Sequence, residues 1–321
     1  MKKINLKQLV RVTKNYYLLN MKMEEIAEIE NISKASVSRI INKAKSLGYV
    51  KVSLDLPPIG VSDLEDKLFQ KFNLKHVSVV EAISDNRRII YSQLSDALSL
   101  HLNQIVKDND TIGVSWGNAM KSIAKNLSHI EKKENIKIVQ LNGGVSRNNV
   151  SSMSDDVIKG FAEHFQATGF GLSTPSIVDS AEIASAFLKD STIKETIQFA
   201  EKARIAIFSV GSISDDSVLV KAGYFSKADY HELRSEGYVG DICSRYFKTD
   251  GTHENTELYN RVVGVDLEKI KEKDHSIAIV VGKEKAQSLL GALNGGYVNS
   301  IFIDEAAAIE LLSLIKKQKN D

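Results

Sequence analysis

The sequence predicts an α/β protein in two parts, a small N-terminal winged helix-turn-helix domain followed by a large Rossmann-like domain. Three observations predict this. Two short helical patterns joined by a tight turn occupy Met23 to Lys45, in the most basic part of the chain. Pro57 and Pro58, two of only three prolines, then interrupt any helix or central strand. From Val61 onward, short β-branched runs alternate with helical stretches, as in a parallel sheet covered by helices. The expected domains are 1–55 for the helix-turn-helix, 56–60 for a linker and 61–321 for the large domain.

Taken in order, Leu6, Leu9, Val10, Thr13, Tyr16 and Tyr17 recur at helical spacing and predict a first helix that completes a three-helix core. Ile26 and Ala27 face inward from the second helix, Ile32 sits in the turn, and Val37, Ile40 and Ile41 line the third. Asn31 suits a left-handed turn position, and Ser33 is a natural N-cap. Glu30 is anomalous, because an apolar residue is expected at the end of the second helix. Gly48 marks the end of the third helix, and the alternation of Val50 to Leu54 predicts a wing strand.

The third helix points outward with Lys34, Ser36, Ser38, Arg39, Asn42 and Lys43, followed by Lys45. Ser, Asn and Arg suit base edges, while Lys and Arg suit phosphates, so double-stranded DNA is the expected partner. Charge distribution agrees. Residues 1–54 carry 11 Lys and Arg against 4 Glu, a net of +7, whereas the rest of the chain is −6.

In the large part, Val61, Leu64, Leu68, Phe69 and Phe72 mark an amphipathic helix that either packs on the domain or contributes to a dimer. Strands are predicted at 76–80, 111–114, 136–141, 166–172, 205–210, 261–265, 277–281 and 300–303. Helices are predicted at 118–127, 283–293 and 305–314. Several strands end in small polar or glycine-rich loops: Gly113 to Asn118, Asn142-Gly143-Gly144, Gly211-Ser212 and Gly282 to Lys285. Ligands of open α/β sheets bind at such strand C-termini, where glycine lets the backbone approach an anion. Ser115, Trp116 and Asn118 add donors or a stacking surface, and Lys285 adds positive charge. Asp179 and Asp241, near these loops, can accept from sugar hydroxyls, serve as acid and base, or cap helices.

The composition, 43% apolar and 26% charged over 321 residues, is that of a globular protein. No apolar run approaches the roughly 20 residues of a membrane span, and the N-terminus lacks a signal-peptide core, so a cytoplasmic location is expected. The single Cys243 cannot form an internal disulfide and reads as a small buried side chain. His101, His164, His253 and the other histidines show no metal-ligand spacing, so no metal is expected. Neither a dinucleotide fingerprint nor a phosphate loop follows an early strand; this argues against NAD and ATP, and no cofactor is expected.

The combination resembles the SorC family of sugar-sensing bacterial transcriptional regulators, also called the SorC/DeoR type. The head is similar in Glu25-Ile26-Ala27 and in Ser33, Ser36, Val37, Ser38, Arg39 and Ile40. The body is similar in Ile112 to Gly117, Val139 to Gly144, Pro175 to Ser180, Gly223-Tyr224, Gly237 to Cys243, Gly282 with Lys285-Ala286, and Asp304 to Ala306. The resemblance implies an effector domain like that of sugar-phosphate isomerases and deaminases, binding a phosphorylated sugar and forming a dimer or tetramer on operators of carbohydrate-catabolic genes. It assigns phosphate holding to Ser115, Trp116, Gly117 and Asn118, a second loop to Asn142, Gly143 and Gly144, and ligand contacts to Asp241 and Lys285. Ser244, where the family usually has Gly, and Val281, where Gly often precedes Gly282, depart from the pattern. The expected function is a transcriptional regulator, a repressor without catalytic residues. The alternative is an isomerase or deaminase with a DNA-binding head, using Asp241 and Asp179.

Overall fold

The computed structural model describes residues 5–50, 62–81, 86–147, 150–151 and 153–318. The chain divides into two compact units, Met1–Pro57 and Pro58–Asp321. The expected linker at 56–60 lies outside the described residues, as does the wing strand beyond Val50.

The first unit contains α1 (Leu6–Tyr17), α2 (Met23–Ile29) and α3 (Lys34–Ser46). Leu9, Val12, Ile26, Val37, Ile40, Ile41 and Ala44 form its core. On α1 the buried line runs through Leu9 and Val12, which leaves Leu6 and Val10 at 61% and 40% exposure, outside the core in which the spacing places them. The turn follows its chemistry. Asn31 adopts φ 51°, and the Ser33 side chain accepts from the Ser36 N–H at 3.2 Å. Gly48, with φ 74°, follows the C-cap of α3. Glu30 is accounted for by a pairing between helices. Its side chain is 5% exposed and accepts two bonds of 2.8 Å from Arg11, which holds its carboxyl below the usual range.

The second unit begins with α4 (Ser62–Phe72), which buries Leu68 and leaves Phe69 exposed. There follow β1 (His76–Val80), α5 (Arg87–Ile105), β2 (Thr111–Val114), α6 (Asn118–Asn126) and β3 (Lys137–Gln140). A small hairpin, β4 (Ser146–Arg147) and β5 (Val150–Ser151), precedes α7 (Ser154–Phe165), β6 (Thr168–Phe170), α8 (Ala181–Lys189), α9 (Ser191–Lys202) and β7 (Ile205–Ser209). An insertion comprises β8 (Gly211–Ser212), α10 (Val218–Lys221), α11 (Lys227–Ser235), β9 (Tyr238–Ile242) and β10 (Arg245–Lys248). The chain closes with α12 (Glu257–Asn260), α13 (Leu267–Lys271), β11 (His275–Val280), a 3₁₀ turn at Lys283–Lys285, α14 (Ala286–Asn294), β12 (Ser300–Asp304) and α15 (Glu305–Gln318).

Among the described residues seven strands form one parallel sheet in the order β1-β12-β11-β7-β2-β3-β6. Their near-continuous apolar runs are the pattern of a sheet buried on both faces. On β7, Ile205 and Ile207 join Leu94, Leu98, Leu102 and Phe161 beneath α5, α6 and α7. Ala206 and Phe208 turn the other way, towards Leu289, Ala307 and Leu311 of α14 and α15. The run 261–265 is not a strand of this sheet. Val262, Val263 and Val265 are buried, but each belongs to a different cluster, and the segment makes isolated bridges, Ile177 with Val262 and Asn142 with Gly264. Apolarity there reflects three separate contacts. Among the described residues no helix is long and apolar enough to cross a membrane.

The Arg11–Glu30 pair gives a test of the head. Because Arg11 is largely exposed, Arg11→Ala and Glu30→Ala are each expected to lower local stability only modestly. Hydrogen exchange of α1 and α2 amides in the full chain reads this, and the double variant should cost no more than the Glu30 variant alone.

Candidate functional site

The sheet reverses its winding between β2 and β7. From β2 the chain moves outward through β3 to β6, then returns to place β7 on the other side of β2 and continues to β11 and β12. A crevice opens at the carboxyl ends of the strands where such an order reverses. The Ser115 N–H donates to the Ile207 carbonyl at 3.0 Å, so the loop after β2 and the loop after β7 stand side by side.

On the β2 side are Ser115, Trp116, Gly117 and Asn118. Gly117 has φ 120°, which disfavours any side chain, and it is the N-cap of α6 without a side-chain capping bond. The first N–H groups of α6 are therefore left for another acceptor. Asn118 is exposed and Ser115 is buried. The Trp116 indole N–H donates to the Gly143 carbonyl at 2.7 Å, joining this loop to the one after β3.

In that second loop Asn142 is only 1% exposed, and its Nδ2 donates to Ser176 Oγ at 3.1 Å and to Ser244 Oγ at 3.5 Å. The two hydroxyls lie 2.7 Å apart. Gly143 permits close approach, since a Cβ there would lie 2.3 Å from the Pro175 carbonyl oxygen. Its N–H donates to the Val263 carbonyl, and that of Gly144 to Thr174. Among the described residues, Ser115 Oγ, Asn142 Oδ1 and Thr174 Oγ1 are buried without a hydrogen-bond partner, all at the ends of β2, β3 and β6.

On the β7 side, Lys285 donates from Nζ to the Val210 carbonyl at 2.8 Å. Asp241 lies opposite Gly211 in the antiparallel pairing of β8 with β9. A Cβ on Gly211 would fall 1.8 Å from Asp241 Oδ1, so only glycine leaves room for this carboxylate. The Ser244 N–H donates to Asp241 Oδ2 at 3.0 Å. Burial pushes the Asp241 carboxyl up and the Lys285 ammonium down, while each partly restores the charge of the other.

The turn that carries this bond has an unusual backbone. Cys243 and Ser244 have φ 53° and 68°, the pair of positive angles that a two-residue hairpin of type I′ demands. Neither is glycine. The Asp241 carboxylate on the Ser244 N–H and the Ser176 contact on its side chain offset the strain. Cys243 is buried at 5% exposure and its thiol is pushed far up, in line with a packing role.

Seen from the sequence, the structure brings Ser115 to Asn118, Asn142 to Gly144, Asp241 and Lys285 to one edge. Asp179 stands apart, exposed immediately before the Ser180 cap of α8, and takes no part in the bonds that join the loops. Residues not singled out are Thr174, Ser176 and above all Arg245, whose guanidinium, 4% exposed, donates to the carbonyls of Tyr259, Gly264 and Val265. A lone charge inside the apolar run Ile242 to Phe247 was the available signal. Among the described residues no cluster of three or more His, Cys, Asp or Glu is placed to hold a metal.

In the head, Lys34, Arg39, Asn42 and Lys43 are exposed on α3, while Ser36 and Ser38 are half-buried. Arg39 folds along its own helix, donating to the Ala35 carbonyl and to Ser36 Oγ, and Lys34 pairs with Glu24 at 2.5 Å. All are surface interactions that a stronger partner can replace.

Comparison with known proteins places the chain in a family. The family model described as "Putative sugar-binding domain" matches residues 57–313. The deoxyribonucleoside regulator of Bacillus subtilis is 34% identical over 304 residues, covering 95% of this chain and 96% of that protein. The sorbitol operon regulator of Klebsiella pneumoniae is 24% identical over 309 residues, with 96% and 98% covered. Its full-length crystal structure shares the fold, with a TM-score of 0.69 and coverage of 95% and 98% at 23% identity. A sugar-binding domain of a transcriptional repressor from Vibrio fischeri superposes with a TM-score of 0.71 at 29% identity, covering 79% of this chain and 99% of that one. With its three-helix head and its parallel α/β body, the chain is a member of the SorC family of transcriptional regulators.

Proposed function

We propose that the chain is a repressor of carbohydrate-catabolic genes whose affinity for operator DNA changes when a phosphorylated sugar occupies the β2/β7 crevice. The observation that carries this reading is the uncapped N-terminus of α6, at the reversal of the sheet and across from Lys285 and Asp241. Backbone N–H groups and a helix N-terminus suit a phosphate, an ammonium adds charge, and a carboxylate accepts from a hydroxyl. The names of the relatives, a deoxyribonucleoside regulator and a sorbitol operon regulator, support a regulator over an enzyme.

The switch is a matter of linkage. The effector must prefer one arrangement of the regulator, and the operator the other, because a ligand with equal affinity for both shifts nothing. Two copies presenting their α3 helices about 34 Å apart, one duplex turn, would read a nearly palindromic site. In this reading Ser38, Arg39 and Asn42 meet base edges, and Lys34, Ser36 and Lys43 meet phosphates.

Fluorescence anisotropy of a labelled operator duplex, with a panel of sugar phosphates and their parent sugars, tests the whole reading. One ester, and not its parent sugar, should shift specific binding; absence of sequence preference and of any ester effect would overturn the proposal. Arg39→Ala is expected to weaken operator binding by about 5- to 150-fold, the worth of a good base contact, with effector affinity unchanged. Lys285→Met should raise the effector concentration needed by about 10- to 100-fold, as befits a lost charge-assisted bond, without altering effector-free operator affinity. Gly211→Ala should act like Asp241→Asn, because both disturb the same carboxylate; titration calorimetry with the active ester would read all three variants.

A further inference from the structure

At the opposite, N-terminal edge of the sheet three imidazoles meet. His76 opens β1, His275 opens β11, and His101 projects from α5. The rings of His76 and His101 stack with centroids 4.0 Å apart and planes 22° from parallel. His275 meets His101 edge-on at 6.0 Å, and Phe302 of β12 completes the group, 5.6 Å from His101 and 5.0 Å from His76. His101 is 8% exposed, and neither of its ring nitrogens has a hydrogen-bond partner. The Nδ1 of His275 has none either.

A buried polar atom without a partner needs an explanation, and here three gather in one place. The surrounding charges do not supply one. Only burial acts on His76, and burial together with the other two imidazoles acts on His101. His275 is lowered by burial and by Arg204 and Lys75, against a weaker pull from Asp274 and Asp110. Arg204 is itself engaged, donating to Asp110 and to the Ile105 carbonyl. From β12, Phe302 packs against the stack and Ser300, uncharged as well, pairs with His76 in the strand register, while Asp96 of α5 accepts from Ser128 Oγ at 2.7 Å. The acids that act on His275, Asp274 and Asp110, both pair with Arg204, and none acts on His76 or His101.

We propose that this stack is a proton-released latch: three neutral imidazoles hold α5 against the sheet, and their protonation frees the helix. A first proton puts charge on an imidazole that burial holds neutral, and a second would set two cations in rings whose centroids lie 4.0 Å apart, so protonation opposes the contact. The direction in pH follows from the lowered values, with His101 held down to about 3. Docking is fully stabilised above the ordinary histidine value of 6.5 and weakens progressively as pH falls below it. Release also reaches the carboxyl edge of the sheet. The first turn of α5 carries Arg87, which donates to Glu284 at 2.6 Å, next to Lys285.

Each imidazole that moves into water below pH 6.5 raises the opening constant of α5 by up to about tenfold per pH unit, and imidazoles released together multiply their effects. Hydrogen exchange of the full-length protein between pH 7.5 and 4.5, corrected for the intrinsic pH dependence of exchange, measures this segment by segment. The latch predicts that α5 loses protection before β2 and β7, with a pH slope above one proton, and that His101→Phe flattens the slope while keeping the ring packing. Loss of protection by α5 together with the central strands, or an unchanged slope in His101→Phe, would overturn it. Should that variant not fold, NMR titration of the wild-type imidazoles decides. A His101 resonance titrating near 6.5 refutes the latch, and one titrating well below supports it.

Discussion

The crevice depends on a buried cation that never touches it. Arg245 carries a guanidinium, and burying such a charge costs several kcal/mol unless it is fully paired. Three backbone carbonyls and Asp266, at 2.8 Å, supply the partners, with the Tyr259 ring 4.3 Å from the guanidinium. All come from one stretch, 259–266, which would otherwise be an irregular loop with its polar backbone underground. Pinned in this way, it offers the Val263 carbonyl to Gly143 and receives the Leu141 carbonyl at the Val265 N–H. Gly143 in turn accepts from Trp116. The loops after β2 and β3 thus owe their placement to a residue on β10.

The three helices of the head were legible because their constraints are local. A left-handed Asn31, a capping Ser33 and a terminal Gly48 are each dictated within a few residues, and each behaves as its chemistry requires. Glu30 was visible as an anomaly, but its partner Arg11 lies on another helix, and no spacing rule connects them. Leu6 and Val10 show the limit of periodicity. Apolar residues on two adjacent lines of a helix look like one broad face, and only packing decides which line is buried.

In the body, the strands and the loops at their ends were legible, since apolar runs closed by glycine reflect both the sheet and its carboxyl edge. The order of the strands was not, and the reversal between β2 and β7 gives those loops their meaning. Misreading 261–265 as a strand has the same origin: three buried valines satisfy three clusters, and a one-dimensional pattern cannot separate them. Thr174, Ser176 and Asp179 lie close together in sequence, yet two are interior struts beside the crevice and the third faces solvent. Small polar residues carry no periodic signal, so their roles emerge only from tertiary neighbours.

Strand order also has a consequence during synthesis. Among the described residues the first strand of the sheet, β1, pairs with β12 alone, so His76 waits for Ser300. A ribosome adding about 5–20 residues per second needs tens of seconds to cover that interval. Throughout it, β1 is a bare edge with a row of unpaired backbone groups, open to pairing with the wrong chain. The three-helix head, built from contacts between near neighbours, can fold long before. A nascent chain therefore passes through a stage in which its basic head is complete and its sheet is not, and truncated products would keep the head without the body.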